Sequence, residues 1–345
     1  MRFERKSKIR MALVAGFAAV MSIGAARVSG AEEYVGRMSF HWGTSHHSAI
    51  YAQKYADEIM KRSNGRLKIE VYPGGQLYGI RETLGALKTG AVDIGGIVGS
   101  AGFLGVEPNY AATIYPYLFN NYDDLRGFLE KDPTGAKIWN TILEKSNTLN
   151  LMYNPVGPSM TFSVGFPLET LDSFKDHKAR SLYAADRARW HALGAGTISL
   201  ATREVYQGLQ NGMIDIVGTV PPAIEAYSWW EFLDHGQLPY LFYGDSYMLA
   251  NKIWFAKLPK DLQDMLLELG RELGKASTDS VVSDAAEVLE KWKARGAKVY
   301  TLTDEQLAQM KALVAKEVRP EFLKTVNPAV LDAAEAYVAA HRKPN

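Results

Sequence analysis

The chain has 345 residues, no cysteine and a formal net charge of +1. The missing cysteines exclude a disulfide framework, a thiolate metal site and a thiol nucleophile together, and the near-neutral charge offers no basic face for nucleic acid. Arg2, Arg5, Lys6, Lys8 and Arg10 form a basic head, followed by an apolar run from Met11 to Ala26 and the small residues Ser29, Gly30 and Ala31. That order predicts a secretory signal peptide over residues 1–31, with cleavage after Ala31. A membrane anchor is the weaker reading, because the apolar run is shorter than the ~20 residues of a spanning helix. Loss of the leader removes six basic and one acidic side chain and moves the formal charge from +1 to −4. The rest is long enough to bury a large core and to divide in two.

Ser48–Arg62 sets Ile50, Tyr51, Tyr55, Ile59 and Met60 on one helical face opposite Lys54, Asp57 and Lys61. Arg66–Tyr72 alternates Leu67, Ile69 and Val71 with Lys68 and Glu70, as a strand does. Residues 81–96 (RETLGALKTGAVDIGG) then return at 203–218 as REVYQGLQNGMIDIVG, with seven identities in sixteen positions. Each copy reads as a helix closed by a left-handed glycine, Gly90 or Gly212, followed by the short apolar strands Ala91–Ile97 and Met213–Val217. Either the chain holds two related βα lobes about 120 residues apart, or two generic corners look alike by chance. Two lobes also predict a site, since α/β sheets bind ligands at the carboxyl ends of their strands. Leu258–Ala294 is almost free of breakers apart from Gly270 and Gly274. As one helix it runs ~50 Å, longer than a single lobe. Amphipathic helices near Asp304–Lys316 and Pro328–His341 close the chain.

Catalytic motifs are missing: there is no G-x-S-x-G elbow, Walker loop or H-E-x-x-H pair. The glycines from Gly95 to Gly105 lack the dinucleotide-binding order and suit close backbone approach. His41, His46 and His47 lack the carboxylate neighbours a metal site needs, so no metal or cofactor is expected, and they read better with Trp42 as a polar and aromatic loop after the first strand. Trp229 and Trp230 beside Tyr227 fit either core packing or a pocket wall. Arg180 fits either the surface or a cleft edge, where its planar fork would take a carboxylate through two parallel hydrogen bonds.

SNGRLKIEVYPGGQLYG (63–79), RETLGALKTGAVDI (81–94), LDSFKDHKAR (171–180) with ALGA (192–195), REVYQGLQNGMID (203–215) and LPKDLQDML (258–266) follow one another in a recognisable order. In these motifs the chain resembles the substrate-binding proteins of tripartite ATP-independent periplasmic (TRAP) transporters, over residues 34–340. The resemblance implies an α/β, type II-like periplasmic binding protein with two lobes, crossing hinge strands and a long helix spanning both. It places lobe 1 near residues 32–156 and 245–285 and lobe 2 near 157–244 and 286–345. It also implies that Arg180 clamps a ligand carboxylate, and that the closed form delivers a small organic anion to membrane permease subunits.

Ser159 stands where a second arginine is common in that family, Thr219 where an asparagine is frequent, and Thr202 where a phenylalanine often sits. Neither Ile80 nor Gly99 is acidic, whereas members of that family that bind sugar acids carry acidic groups near there; this argues against a sugar acid, whose buried hydroxyls need partners. The expected ligand-binding set is therefore Arg180, His41, Trp42, His46, Ser159, Thr219, Trp229 and Trp230, around a compact, aromatic or keto monocarboxylate. No catalysis is expected, and nothing demands more than a monomer. The alternatives are an exported two-lobed hydrolase or lyase, which needs a nucleophile or acid–base pair in the cleft, and a sensor partner that presents bound ligand.

Overall fold

The computed structural model describes residues 33–182 and 184–341. The expected signal peptide lies outside the described residues. Among the described residues, eleven strands form two sheets. The first contains β1 (Tyr34–Ser39), β2 (Leu67–Tyr72), β3 (Ile94–Val98), β4 (Thr148–Tyr153) and β10 (Ser246–Asn251), in the order β2-β1-β3-β10-β4. The second contains β5 (Gly157–Ser163), β6 (Lys178–Ser181), β7 (Gly196–Ser199), β8 (Ile216–Thr219), β9 (His235–Gly244) and β11 (Lys298–Thr301), in the order β11-β9-β5-β8-β6-β7. β4 passes into β5, and β9 into β10, so two strand crossings join the lobes. The two crossings lie side by side: Asn154 N–H donates to Ser246 O at 2.9 Å and Val156 N–H to Gly244 O at 3.0 Å.

The repeat is structural. In the first lobe the helix Thr83–Thr89 closes on Gly90 (φ 76°) and feeds β3; in the second, the helix Val205–Gln210 is followed by Gly212 (φ 61°) and feeds β8. Both glycines occupy the left-handed region that side chains resist. The matched aspartates belong to the corners rather than to the strands, and each fastens its corner to a neighbouring strand. Asp93 Oδ2 accepts from Arg37 N–H at 2.8 Å, and Asp215 Oδ1 accepts from Lys178 N–H at 2.6 Å. β3 then runs parallel to β1, as β8 runs parallel to β6.

Lys260–Ala294 is one continuous helix of 35 residues, and it packs on both lobes. Gly270 and Gly274 are its contact points on β4. A Cβ at Gly270 would sit 1.9 Å from Leu151 O, and one at Gly274 3.0 Å from Tyr153 O. At the other end Trp292 is buried, and its Nε1–H donates to Leu233 O at 2.9 Å in the second lobe. The helix His47–Arg62 also lies against it and buries Ala49, Ala52, Tyr55, Ala56 and Ile59, while Ile50 and Met60 stay exposed. Tyr55 O–H donates to Leu266 O of the long helix at 2.8 Å.

The C-terminal segment departs from the lobe boundaries expected above. The C-terminal helix Pro328–His341 packs on the first-lobe helices Tyr122–Lys131 and Pro133–Lys145. Val330, Leu331, Ala334 and Val338 share a core there with Leu125, Phe128 and Ile138.

Candidate functional site

A cleft with about 590 Å³ of empty space, counting the part open to solvent, lies between the sheets. The first lobe lines it with Trp42, Ile80, Val98 and Ser100, and the crossings add Val156 and Gly244. The second lobe supplies Ser159, Arg180, Leu182, Asp186, Thr202, Thr219, Trp229 and Phe242. Val98, Arg180 and Thr219 come from the carboxyl-end halves of β3, β6 and β8, where an α/β sheet presents its ligand site. The lobes touch beside the cleft: an Arg81 Nη2–H donates to Leu182 O, and Tyr227 O–H donates to His41 O at 3.1 Å.

Arg180 is buried, with 4 % exposure. Its Nε–H donates to Leu200 O at 3.1 Å and its Nη2–H to Thr202 Oγ1 at 3.2 Å, and the guanidinium carbon lies 5.9 Å from the Trp229 ring centre. These contacts hold a permanent positive charge in one plane on the cleft wall. Trp229 is itself buried and stacked on Tyr227 at 5.2 Å, so it serves the core and the wall together. Trp42 closes the opposite side, its Nε1–H buried with no partner among the described residues.

Of the eight candidates, the structure brings together Arg180, Trp42, Ser159, Thr219 and Trp229. His41, His46 and Trp230 are not on the lining. His46 caps the helix His47–Arg62, its Nδ1 accepting from Ser48 N–H at 3.1 Å, and its ring stacks on Trp42 at 4.0 Å. Burial pushes it well below the ordinary imidazole range. His41 packs against Trp42 at 4.4 Å, and burial pushes its imidazole down to about 3. Both rings position the indole. Trp230 lies behind the wall with the Arg295 guanidinium 4.9 Å from its ring centre.

Sequence reasoning passed over Asp186 and Arg189. Both are buried and pair at 2.9 Å, Asp186 on the cleft lining and Arg189 behind it. Spaced three apart in a helical segment they look like an ordinary surface ion pair; the adjacent Trp190, whose ring centre lies 3.6 Å from the Arg189 guanidinium, was the available signal.

A chain of hydrogen bonds also runs from Asp284 Oδ2 to His47 Nδ1 (2.6 Å), from His47 Nε2 to Ser277 Oγ (2.9 Å), and from Ser277 to Asn154 Oδ1 (3.0 Å). Its residue types suit a hydrolase. Ser277 is fully buried and none of the four lines the cleft, so the chain ties the two helices to the first crossing. Among the described residues no group of three or more histidine and acidic side chains is placed to hold a metal ion.

The family model for bacterial extracellular solute-binding protein, family 7, matches residues 38–325. A "Solute-binding protein" of Albidiferax ferrireducens is 26 % identical over 269 residues, covering 76 % of this chain and 78 % of that one. The sialic acid-binding periplasmic protein SiaP of Vibrio cholerae is 27 % identical over 252 residues, covering 72 % and 77 %. A solved TRAP periplasmic solute-binding protein from Sulfurospirillum deleyianum, with bound succinate, superposes with a TM-score of 0.80 at 24 % identity, over 89 % of this chain and 99 % of that one. The chain belongs to the bacterial extracellular solute-binding protein family 7.

Proposed function

We propose that this chain is the exported receptor of a TRAP transporter, which captures a small organic acid between its lobes and delivers it to the membrane permease. The observation that carries this is Arg180, a buried guanidinium fixed on the lining of an interlobe cleft. A carboxylate facing a planar guanidinium forms charge-assisted hydrogen bonds, and these strengthen as closure removes water from both groups. A ligand that touches both walls favours the closed population. Trp42, Val98 and Ile80 supply the apolar cover; Ser100, Ser159, Thr202 and Thr219 supply hydroxyls. Relatives named for sialic acid and found with succinate are carboxylate binders and support the class of ligand, not the particular acid. The basic and apolar leader supports export, and receptors of this kind perform no turnover.

Thermal-shift screening of purified protein against short-chain, hydroxy, keto and aromatic acids tests the reading. The expected result is stabilisation by at least one acid, recovered unchanged after incubation, and loss of that effect in Arg180→Ala. A response to neutral solutes alone, or conversion of the acid to product, contradicts it.

A further inference from the structure

Resting on the carboxylate-capture reading, we infer that Asp186 reads a second group on the ligand, so that the solute is a monocarboxylate carrying a hydrogen-bond donor. Asp186 lines the same cavity as Arg180 and is 8 % exposed. Its Oδ1 accepts from Arg189 Nη2–H at 2.9 Å and its Oδ2 from Leu182 N–H at 3.2 Å. These two bonds fix the carboxylate. A Cβ at Gly218, another residue of the lining, would lie 2.9 Å from Arg189 Nη2 and 3.8 Å from Asp186 Oδ1, so the pair fills the space that the glycine leaves open.

The chemistry follows from donor and acceptor counting. An ionised carboxylate is acceptor-only and offers about four lone-pair sites on two oxygens; the two bonds above use two. Arg180 is donor-only. The wall therefore presents a cation for the ligand's carboxylate and, separately, an acceptor that only an O–H or N–H can satisfy. A ketone oxygen or a second carboxylate gains nothing from Asp186 and meets a like-charged oxygen instead. Arg189, behind the lining with its guanidinium carbon 3.6 Å from the Trp190 ring centre, compensates the buried negative charge, so the acceptor persists when closure excludes water. The ligand class is thus hydroxy, amino or lactam acids rather than keto acids or dicarboxylates.

The test uses matched acids differing only in the donor: lactate and pyruvate, 3-hydroxybutyrate and acetoacetate, mandelate and phenylglyoxylate, with succinate as the dicarboxylate. Affinities are measured by calorimetry on the full mature chain and on Asp186→Asn and Arg180→Ala. The expected result is a hydroxy member bound at least tenfold more tightly than its keto partner and than succinate, with the hydroxy/keto ratio falling below threefold in Asp186→Asn. A keto partner or succinate bound as tightly as the hydroxy acid by the unaltered protein overturns the inference without needing the variant. So does an Asp186→Asn protein that weakens both members by one common factor, since that is the signature of a purely structural ion pair. If no acid binds, or if Arg180→Ala binds all of them unchanged, the carboxylate-capture reading itself fails, and the inference with it.

Discussion

The two lobes carry the same corner and put different side chains on it. With Asp93 matched to Asp215 and Arg37 to Lys178 by their hydrogen bonds, Met38 stands where Ala179 stands, and Ser39 stands where Arg180 stands. One frame thus presents a buried hydroxyl in the first lobe and a buried guanidinium in the second. The acidic residue of the lining, Asp186, is also in the second lobe, while the first contributes Trp42, Ile80, Val98 and Ser100. On the proposed function, a duplicated scaffold divides labour: the second lobe recognises charge and the first supplies an apolar cover. A ligand meeting the open protein gains most from the second lobe, and closure adds the desolvation that strengthens those contacts.

The sharpest way to break this asymmetry is to alter the two matched positions. Arg180→Ala is expected to lose at least tenfold in affinity, about 1.4 kcal/mol or more, while Ser39→Ala changes it less than twofold; equal losses by calorimetry would erase the division of labour. The brace between the lobes comes next. Gly270→Ala drives a Cβ to 1.9 Å from a backbone oxygen of β4, and overpacking of this kind costs about 1–3 kcal/mol. A melting temperature lowered by several degrees is expected, and an unchanged one would mean that the helix is free to shift. The corners themselves should respond alike: Asp93→Ala and Asp215→Ala each remove a carboxylate bonded to a backbone N–H and should each cost about 1–2 kcal/mol. A neutral effect in one lobe only would show that the corners are similar in shape but not in energetics.

A further comparison separates the crossings from both lobes. Asp245 sits between β9 and β10, where Tyr110 O–H donates to its Oδ2, and burial pushes its carboxyl up to about 7. The folded state therefore keeps a proton that the unfolded chain releases from about pH 4 upward, so this group's contribution to stability falls as pH rises from about 4 to 7. Asp245→Asn should remove that falling contribution, so that melting curves across the same range tilt toward stability rising with pH. His41, held down at about 3 by burial, works in the opposite sense and loses its contribution as pH falls below its ordinary 6.5. A wild-type slope that survives in Asp245→Asn would assign the titration elsewhere.

Much of the fold was legible because the repeat preserves residues with backbone duties. Gly90, Gly212, Asp93 and Asp215 exist to cap and fasten, and such roles survive in the letters of a sequence. The long helix was legible for the same reason, by its lack of breakers. Gly270 and Gly274 looked like interruptions because the strand they touch lies more than a hundred residues away in the chain. Ile50 and Met60 were misplaced because the buried face runs through Ala52, Tyr55, Ala56 and Ile59 instead. In the cleft, Arg180 was found through its motif. His41 and His46 carry attractive chemistry, yet one packs on the Trp42 indole and the other caps a helix and stacks on it. Asp186 and Arg189 were missed because an ion pair three residues apart has the same letters whether it is solvated or buried; only the fold decides.

The most direct measurement is a crystal structure of the protein with the acid that stabilises it. The expected result is one carboxylate lying in the plane of the Arg180 guanidinium, within hydrogen-bond distance of it, while the first lobe covers the other side through Trp42. A carboxylate held by first-lobe groups, with Arg180 still bonded to Leu200 and Thr202 but out of reach of the ligand, would contradict it.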